Sequence, residues 1–170
     1  NILKKYKPKK IISLNKTLNG PVHTLLKVKK INKNLPLIIA NCDQYLKWKI
    51  NNFIKFIKIK DPDGCVLTYK SKNKKNSFVK LKKGNAIKFV EKKPISNHAL
   101  IGVHYWKCTK DFFDSANKYV KSINKSKEAY VSETYNYMPK NKKIKIYELN
   151  RKDFALLGTP LDIENEKKIK

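Results

Sequence analysis

The longest uncharged apolar stretch of the chain is Leu35–Ala40, a run of only six residues that includes Pro36. A membrane-spanning helix needs about 18 or more consecutive apolar residues, so the sequence predicts no membrane span. A short apolar run followed by polar residues, here Asn41 and Asp43, is typical of a strand buried on both faces. Such strands are usually parallel and flanked by helices. We therefore expect an α/β protein with a parallel strand at residues 35–40.

Lysine dominates the charge of the chain. Its 170 residues include 40 Lys+Arg and 13 Asp+Glu, which gives a net charge of +27, and Arg151 is the only arginine. Nucleic-acid-binding proteins usually rely on arginine for bidentate contacts to phosphates and bases, and these lysines are spread over every segment of the chain. Nucleic-acid binding is therefore the less favoured alternative. The apolar content of 41% is too high for a disordered polybasic tail, so we expect a folded core.

The three cysteines point to a reduced, cytoplasmic setting. They are an odd number without CxxC spacing, so neither a disulfide framework nor a zinc knuckle is predicted. Cys42 and Cys65 lie in apolar contexts and are expected to be buried packing residues. His104 and Cys108 share one face of a predicted strand, but no third or fourth metal ligand accompanies them.

Hydrophobic periodicity predicts alternating helices and strands in one domain covering residues 1–170. Helices are expected at residues 22–31 and 50–58, from Thr109 as an N-cap, at 128–138, and after Thr159-Pro160. Strands are expected at residues 11–14, 35–40, 65–69, 78–81, 86–90, 99–106 and 144–149. This order predicts a three-layer α/β/α sandwich with a mixed, mostly parallel sheet. The charged tail at residues 164–170 is expected to be solvated.

Three positions could carry chemistry on their local pattern alone. Asp43 follows the buried strand, where a carboxylate is well placed to hold a divalent cation, although it could equally cap the turn into the next helix. Glu91 and Lys92 close another strand, and Lys92 is either a phosphate clamp or one more solvated lysine. Gly20 either lets backbone approach a base or phosphate, or is a simple turn glycine.

Several segments, taken together in their order and spacing, resemble the sugar-phosphate nucleotidyltransferase family, and especially its capsule and surface-polysaccharide branch. The resemblance covers about residues 8–163. The segments that carry it are Leu37–Tyr45, Asp63–Thr68, Glu91–Ala99, Gly102–Trp106, Glu128–Ser132, Lys143–Tyr147 and Gly158–Pro160.

The resemblance implies a nucleotide-diphospho-sugar transferase (Rossmann-like) fold and a reaction between an NTP and a sugar 1-phosphate, or a similar phosphorylated acceptor, with release of pyrophosphate. It implies that Asp43 binds Mg²⁺, and that Glu91 and Lys92 contact the acceptor sugar and its phosphate. It also implies that Glu128 contacts the sugar and that Gly20 lies beside the nucleobase. Asp43 and Lys92 are then the catalytic residues, and the protein is compatible with a homo-oligomer.

The sequence departs from the family pattern in three ways. The family's Gly-rich loop with Arg and Lys should lie before Asn1, so we expect this chain to be a C-terminal portion that is inactive alone. Leu156 occupies the place of a second metal-binding Asp found in many members. The segment Gly20–Thr24 replaces a common Gly-Gln-Ala pattern. These departures keep a noncatalytic nucleotide- or sugar-binding homologue as the alternative function.

Overall fold

The computed structural model of the protein describes residues 5–167, which form a central sheet with helices on both faces. The helices are α1 (Pro21–Leu25), α2 (Ile50–Lys60), α3 (Thr109–Ser122) and α4 (Pro160–Lys167), with 3₁₀ helices at Ser132–Tyr137 and Arg151–Asp153. The strands are β1 (Leu37–Ala40), β2 (Gln44–Leu46), β3 (Gly64–Lys70), β4 (Ser77–Lys82), β5 (Asn85–Glu91), β6 (His98–Trp106), β7 (Ile144–Glu148) and β8 (Phe154–Leu156).

The main sheet has the order β5-β4-β6-β3-β7, and β1 also pairs with β6. The predicted mixed sheet is confirmed, but its pairings within residues 5–167 are antiparallel except for that of β3 with β7. The expectation that residues 35–40 form a parallel strand buried on both faces is wrong. β1 runs antiparallel to β6, with Leu37 opposite Trp106, and Ile38 is 44% exposed. β1 is not buried on both faces because one of its faces, which carries Ile38, turns outward from the packed layers.

Two strands share one edge of β6 and meet there end to end. β1 pairs with β6 from Trp106 down to Val103, and β4 begins its pairing at Ala99. Between them, the segment Leu100–Gly102 pairs with no assigned strand on this edge in the described part of the chain, although the Asn41 N–H donates to the Gly102 carbonyl at 2.8 Å. The carboxyl end of β1 and the amino end of β4 therefore face each other across three residues of β6.

Two apolar cores lie on opposite faces of the sheet, which confirms the three-layer arrangement. On one face, α1, α3 and the first 3₁₀ helix pack around Trp106, whose ring stacks on Tyr135 with centroids 4.5 Å apart. On the other face, α2 packs through Phe53 and Ile57, together with the small β2–β8 sheet. Alternate residues of β6 serve the two cores, as strand geometry requires.

The strongest local patterns produce the expected elements. The helix expected at residues 50–58 is observed as α2, and its apolar stripe is buried at Phe53 and Ile57. The hairpin expected from residues 78–90 is observed as β4–β5, with a turn at Lys83 and Gly84 where both residues have positive φ. Thr159 caps α4 as predicted, because its Oγ1 accepts a hydrogen bond from the Asp162 N–H at 3.2 Å.

Other elements differ from the sequence prediction. Residues 11–14 form no strand, and the helix expected to run to residue 31 ends at Leu25. Thr109 is the first residue of α3 rather than its cap, because its hydroxyl donates to the Leu35 carbonyl at 2.7 Å. Cys42 is exposed, against the prediction of burial, whereas Cys65 is fully buried as expected.

The helix expected at residues 128–138 is only a 3₁₀ turn from Ser132 to Tyr137. The backbone of Ala129 bonds to the start of α1 instead. Its N–H donates to the Asn19 carbonyl, and its carbonyl accepts from the Val22 N–H, each at 3.1 Å. These two hydrogen bonds to residues 19–22 therefore override the local helical pattern.

Within residues 5–167, no helix is both long enough and apolar enough to cross a membrane.

Candidate active site

A cavity of about 400 Å³ opens where β1 and β4 meet end to end. Its floor is one face of β6, which contributes Leu100, Gly102 and His104 as alternate residues. The remaining lining residues come from the ends of strands and from loops. They include Asn41, Asp43, Gln44, Asn73, Lys75, Asn76, Ser77, Glu91, Tyr130, Val131, Ser132, Gly158, Thr159 and Asp162.

Asp43 reaches the cavity because the chain pairs β2 with β8. Gln44 lies opposite Leu156 in that pairing, and the Leu157 N–H donates to the Asp43 carbonyl at 2.9 Å. This brings Asp43 against Gly158, where an added Cβ would lie 3.0 Å from Oδ2 of Asp43 and 3.9 Å from Oδ2 of Asp162. The missing side chain of Gly158 therefore leaves a small space bordered by two carboxylates.

Glu91 enters the same cavity from the hairpin. The β4–β5 register places Glu91 opposite Ser77, and the Ser77 hydroxyl donates a hydrogen bond to its carboxylate. Partial burial raises the pKa of Glu91 above its ordinary value, while the hydroxyl of Ser77 and the charge of Lys92 oppose that rise. A half-buried carboxylate beside hydroxyl groups is suited to bonding the hydroxyls of a ligand.

Lys92 and Glu128 both form hydrogen bonds with Tyr130, which borders the cavity. The Lys92 ammonium donates to the Tyr130 hydroxyl at 2.9 Å, and that hydroxyl donates to the carboxylate of Glu128. The hydrogen bond to Tyr130 is the main cause that raises the pKa of Lys92, so the ammonium stays charged. Tyr130 thus links two residues that the sequence names as site candidates but cannot place together.

Gly20 lies beside the same segment. Its φ of 97° and ψ of 165° belong to a region that is essentially restricted to glycine. An added Cβ would lie 2.6 Å from N of Ala129 and 2.7 Å from its carbonyl oxygen. The next residue, Pro21, borders the cavity. Gly20 is therefore required for the close approach of two backbones at this wall.

The five predicted site residues are thus gathered around one cavity: Asp43 and Glu91 line it, and Lys92, Glu128 and Gly20 contact its wall. Sequence reasoning did not name Tyr130, Asp162 or His104 as site residues. Asp162 stands three residues after the capping Thr159, a spacing that marks a helix start rather than a ligand. His104 stands two residues after Gly102, which puts both side-chain positions on one face of β6.

The cavity is lined by more acidic than basic residues, although the chain as a whole is strongly basic. The acidic residues Asp43, Glu91 and Asp162 border it, and Lys75 is the one lysine among the described lining residues. No group of three or more His, Cys, Asp or Glu side chains within residues 5–167 is arranged to enclose a metal ion. The arrangement is that of an open site with carboxylate oxygens, which suits a hard divalent cation that keeps most of its other ligands from water or substrate.

Several solved structures share this architecture. A nucleoside-diphosphate-sugar pyrophosphorylase from Vibrio cholerae RC9 superimposes with a TM-score of 0.72 at 18% identity, over 89% of this chain and 66% of that one. A putative glucose-1-phosphate thymidylyltransferase from Bacillus anthracis, in complex with a sucrose, gives 0.71 at 14% identity, over 91% and 62%. This chain has their fold. A UDP-glucose pyrophosphorylase complexed with UDP-glucose gives 0.70 at 17% identity, over 91% and 64%.

The predicted nucleotide-diphospho-sugar transferase fold is therefore confirmed. The chain spans 66% or less of the length of each of these three structures. No protein-family model and no curated protein matches the chain.

Proposed function

We propose that this protein is a nucleotidyltransferase that joins an NTP to a sugar 1-phosphate, or a similar phosphorylated acceptor, and releases pyrophosphate. The observation that supports this function best is the convergence of Asp43 and Glu91 on one cavity, with Lys92 held against its wall by Tyr130. The fold shared with nucleotide-sugar pyrophosphorylases points to the same chemistry. As the resemblance implies, the product would be an activated precursor for a surface polysaccharide.

The charges of the cavity support a role for Mg²⁺. A triphosphate and a phosphorylated acceptor are both anionic, and three carboxylates in the lining would repel them. A divalent cation held by Asp43 would reverse this repulsion. Asp162 is our candidate for the second carboxylate, because the space beside Gly158 lies within 4 Å of Oδ2 in both aspartates. Leu156 stands where a second ligand was expected, and Asp162 would replace it from the start of α4.

The reaction needs little covalent chemistry from the chain. A phosphate oxygen of the acceptor attacks the α-phosphorus of the NTP, the bond from that phosphorus to the oxygen bridging it to the β-phosphorus breaks, and pyrophosphate leaves. Bound Mg²⁺ would supply charge neutralisation for the crowded phosphates. In this proposal Lys92 neutralises the acceptor phosphate, and Glu128 orients Lys92 through Tyr130. Glu91 accepts hydrogen bonds from acceptor hydroxyls.

The test is Mg²⁺-dependent pyrophosphate release by the whole gene product, with each common NTP and a panel of sugar 1-phosphates. We expect Asp43→Asn to abolish turnover and to weaken Mn²⁺ binding measured by electron paramagnetic resonance, with an unchanged melting temperature. The matched control is Asp114→Asn, which makes the same change on exposed α3, where Asp114 pairs with Lys110 at 2.6 Å. The control should behave as the wild type.

Wild-type turnover and Mn²⁺ binding in Asp43→Asn would refute the assignment of Asp43. A wild-type protein that binds NTP and sugar phosphate but never releases pyrophosphate would instead support the noncatalytic alternative.

A further inference from the structure

His104 is a buried polar residue without an internal partner at the floor of the cavity. The residue is 5% exposed, and its Nδ1 is buried without a hydrogen-bond partner in the described part of the chain. Buried polar atoms in folded proteins are nearly always hydrogen bonded, and those that are not need an explanation. His104 is one of the residues that border the cavity, so a molecule bound there could supply the missing partner once it displaces the atoms that now cover Nδ1.

The ring is held firmly in place. It stacks on Trp106 with centroids 6.0 Å apart and on Tyr135 with centroids 5.9 Å apart. The Tyr135 hydroxyl is itself fixed, because it donates to the Tyr105 carbonyl at 3.0 Å. An imidazole fixed in this way presents its nitrogen in one direction, which is what discrimination between ligands requires.

The ring is also uncharged at neutral pH, because burial lowers the pKa of His104 to about 4. A neutral imidazole is a poor anchor for phosphate and a good partner for a hydroxyl. Its neighbours in the lining fit that chemistry, since Asn41, Gln44, Ser77 and Ser132 are also neutral hydrogen-bonding side chains.

We propose that His104 determines substrate specificity by forming a hydrogen bond through Nδ1 with a sugar hydroxyl of a bound substrate. This inference rests on the proposed function. The hydroxyl can belong to the acceptor sugar or to the ribose of the NTP, and the experiment separates these two sources. Removing the hydrogen bond should weaken binding of the substrate that carries the hydroxyl by about threefold to tenfold.

The first measurement uses the whole gene product without substitutions. This chain contributes three histidines to its ¹⁵N-histidine NMR spectrum, and His104→Gln identifies the signals of His104 as those that disappear, with His23→Gln and His98→Gln as checks. Glucose 1-phosphate, UTP and inorganic phosphate are added separately. We expect the Nδ1 signal of His104 to move with glucose 1-phosphate if the acceptor supplies the hydroxyl, or with UTP if the ribose does. It should stay in place with inorganic phosphate.

The second measurement is calorimetric binding to His104→Phe, which keeps an aromatic ring in the stack but removes both nitrogens. The matched control is His98→Phe on the same strand, where the histidine lies outside the cavity and pairs with Glu148 at 3.0 Å. We expect His104→Phe to weaken binding of the substrate identified by NMR, and not binding of its analogue that lacks the contacted hydroxyl.

The outcomes separate the two proposals. If glucose 1-phosphate or UTP binds while the Nδ1 signal does not move, or moves equally with inorganic phosphate, the role of His104 is refuted and the proposed function stands. Equal weakening of the hydroxylated substrate and its deoxy analogue also refutes it. If calorimetry detects no binding of any NTP or sugar phosphate to the whole gene product, the proposed function fails and the role of His104 fails with it.

Discussion

Replacing Gly20 by alanine should separate the backbone around Gly20 from the backbone of Ala129 at one wall of the cavity. The backbone of Gly20, at φ 97° and ψ 165°, would cost a non-glycine residue about 1–3 kcal/mol. The added Cβ would also lie 2.6 Å from N of Ala129, which is a backbone atom. Relief of this clash requires the loss of two hydrogen bonds, each worth about 0.5–1.5 kcal/mol: the Ala129 N–H donates one to the Asn19 carbonyl, and the Ala129 carbonyl accepts the other from the Val22 N–H. The sum is a loss of roughly 2–6 kcal/mol.

Gly84→Ala is the matched control for this prediction. Gly84 also has a positive φ, of 69°, but an added Cβ would meet only the end of the Lys145 side chain, at 3.9 Å. It should therefore show the backbone strain alone, about 1–2 kcal/mol. Urea denaturation gives both free energies of unfolding, and hydrogen exchange at the Val22 amide reports whether the wall has separated. Equal destabilisation by the two substitutions, with Val22 still protected, would refute the reasoning.

Three further predictions concern the rest of the chain. Lys142 pairs with Asp111 at 2.9 Å and with Asp63 at 3.1 Å, and Lys142→Met should lower the free energy of unfolding by about 1–3 kcal/mol at pH 7. Burial opposes ionisation of Asp63, but hydrogen bonds from Lys143 and Lys142 outweigh it and hold the pKa of Asp63 below 3.8. The stabilisation that ionised Asp63 provides is therefore complete above pH 3.8 and is lost as the pH falls further. Urea titrations at pH 7 and pH 3 should therefore show a smaller effect of Lys142→Met in acid, and an equal effect would contradict this assignment. A thiol reagent at pH 8 should label exposed Cys42 rapidly in the native protein, whereas buried Cys65, with its pKa raised to about 12, should react only after unfolding, as peptide mapping would show. In steady-state assays of the whole gene product, Lys92→Ala should raise the KM for the phosphorylated acceptor about tenfold and the KM for NTP much less, and equal effects would exclude an acceptor role.

Local patterns predict those elements whose stability depends on their own residues. α2 carries its apolar stripe at helical spacing, and the β4–β5 hairpin has a turn sequence between two apolar strands. The prediction fails where distant partners decide. The direction of β1 is set by its pairing with β6, which begins some 60 residues later in the sequence. Nothing within Leu37–Ala40 encodes that direction. Ala129 is not helical because Asn19 and Val22, more than 100 residues away in the sequence, bond both of its backbone groups.

The candidate site shows the same division. Asp43, Glu91 and Lys92 stand at strand ends, which is a pattern that the sequence displays. Tyr130 and Asp162 become site residues only through contacts made by the fold, namely the hydrogen bond from Lys92 and the approach of Gly158 to Asp43. In the sequence, Tyr130 is only part of an aromatic segment, and Asp162 is only part of a helix start.

Because β1 and β4 meet end to end on β6, the gap between them sets the length of the opening above β6. The opening corresponds to Leu100–Gly102, about 10 Å of extended strand. Side chains alternate between faces, so either neighbouring strand can slide along β6 only in steps of two residues without turning its apolar face to solvent. Each such step would change the opening by about 7 Å while each side chain stays on its own face of the sheet. The length of this opening would therefore change in discrete increments of two residues, through lengthening or shortening of one strand.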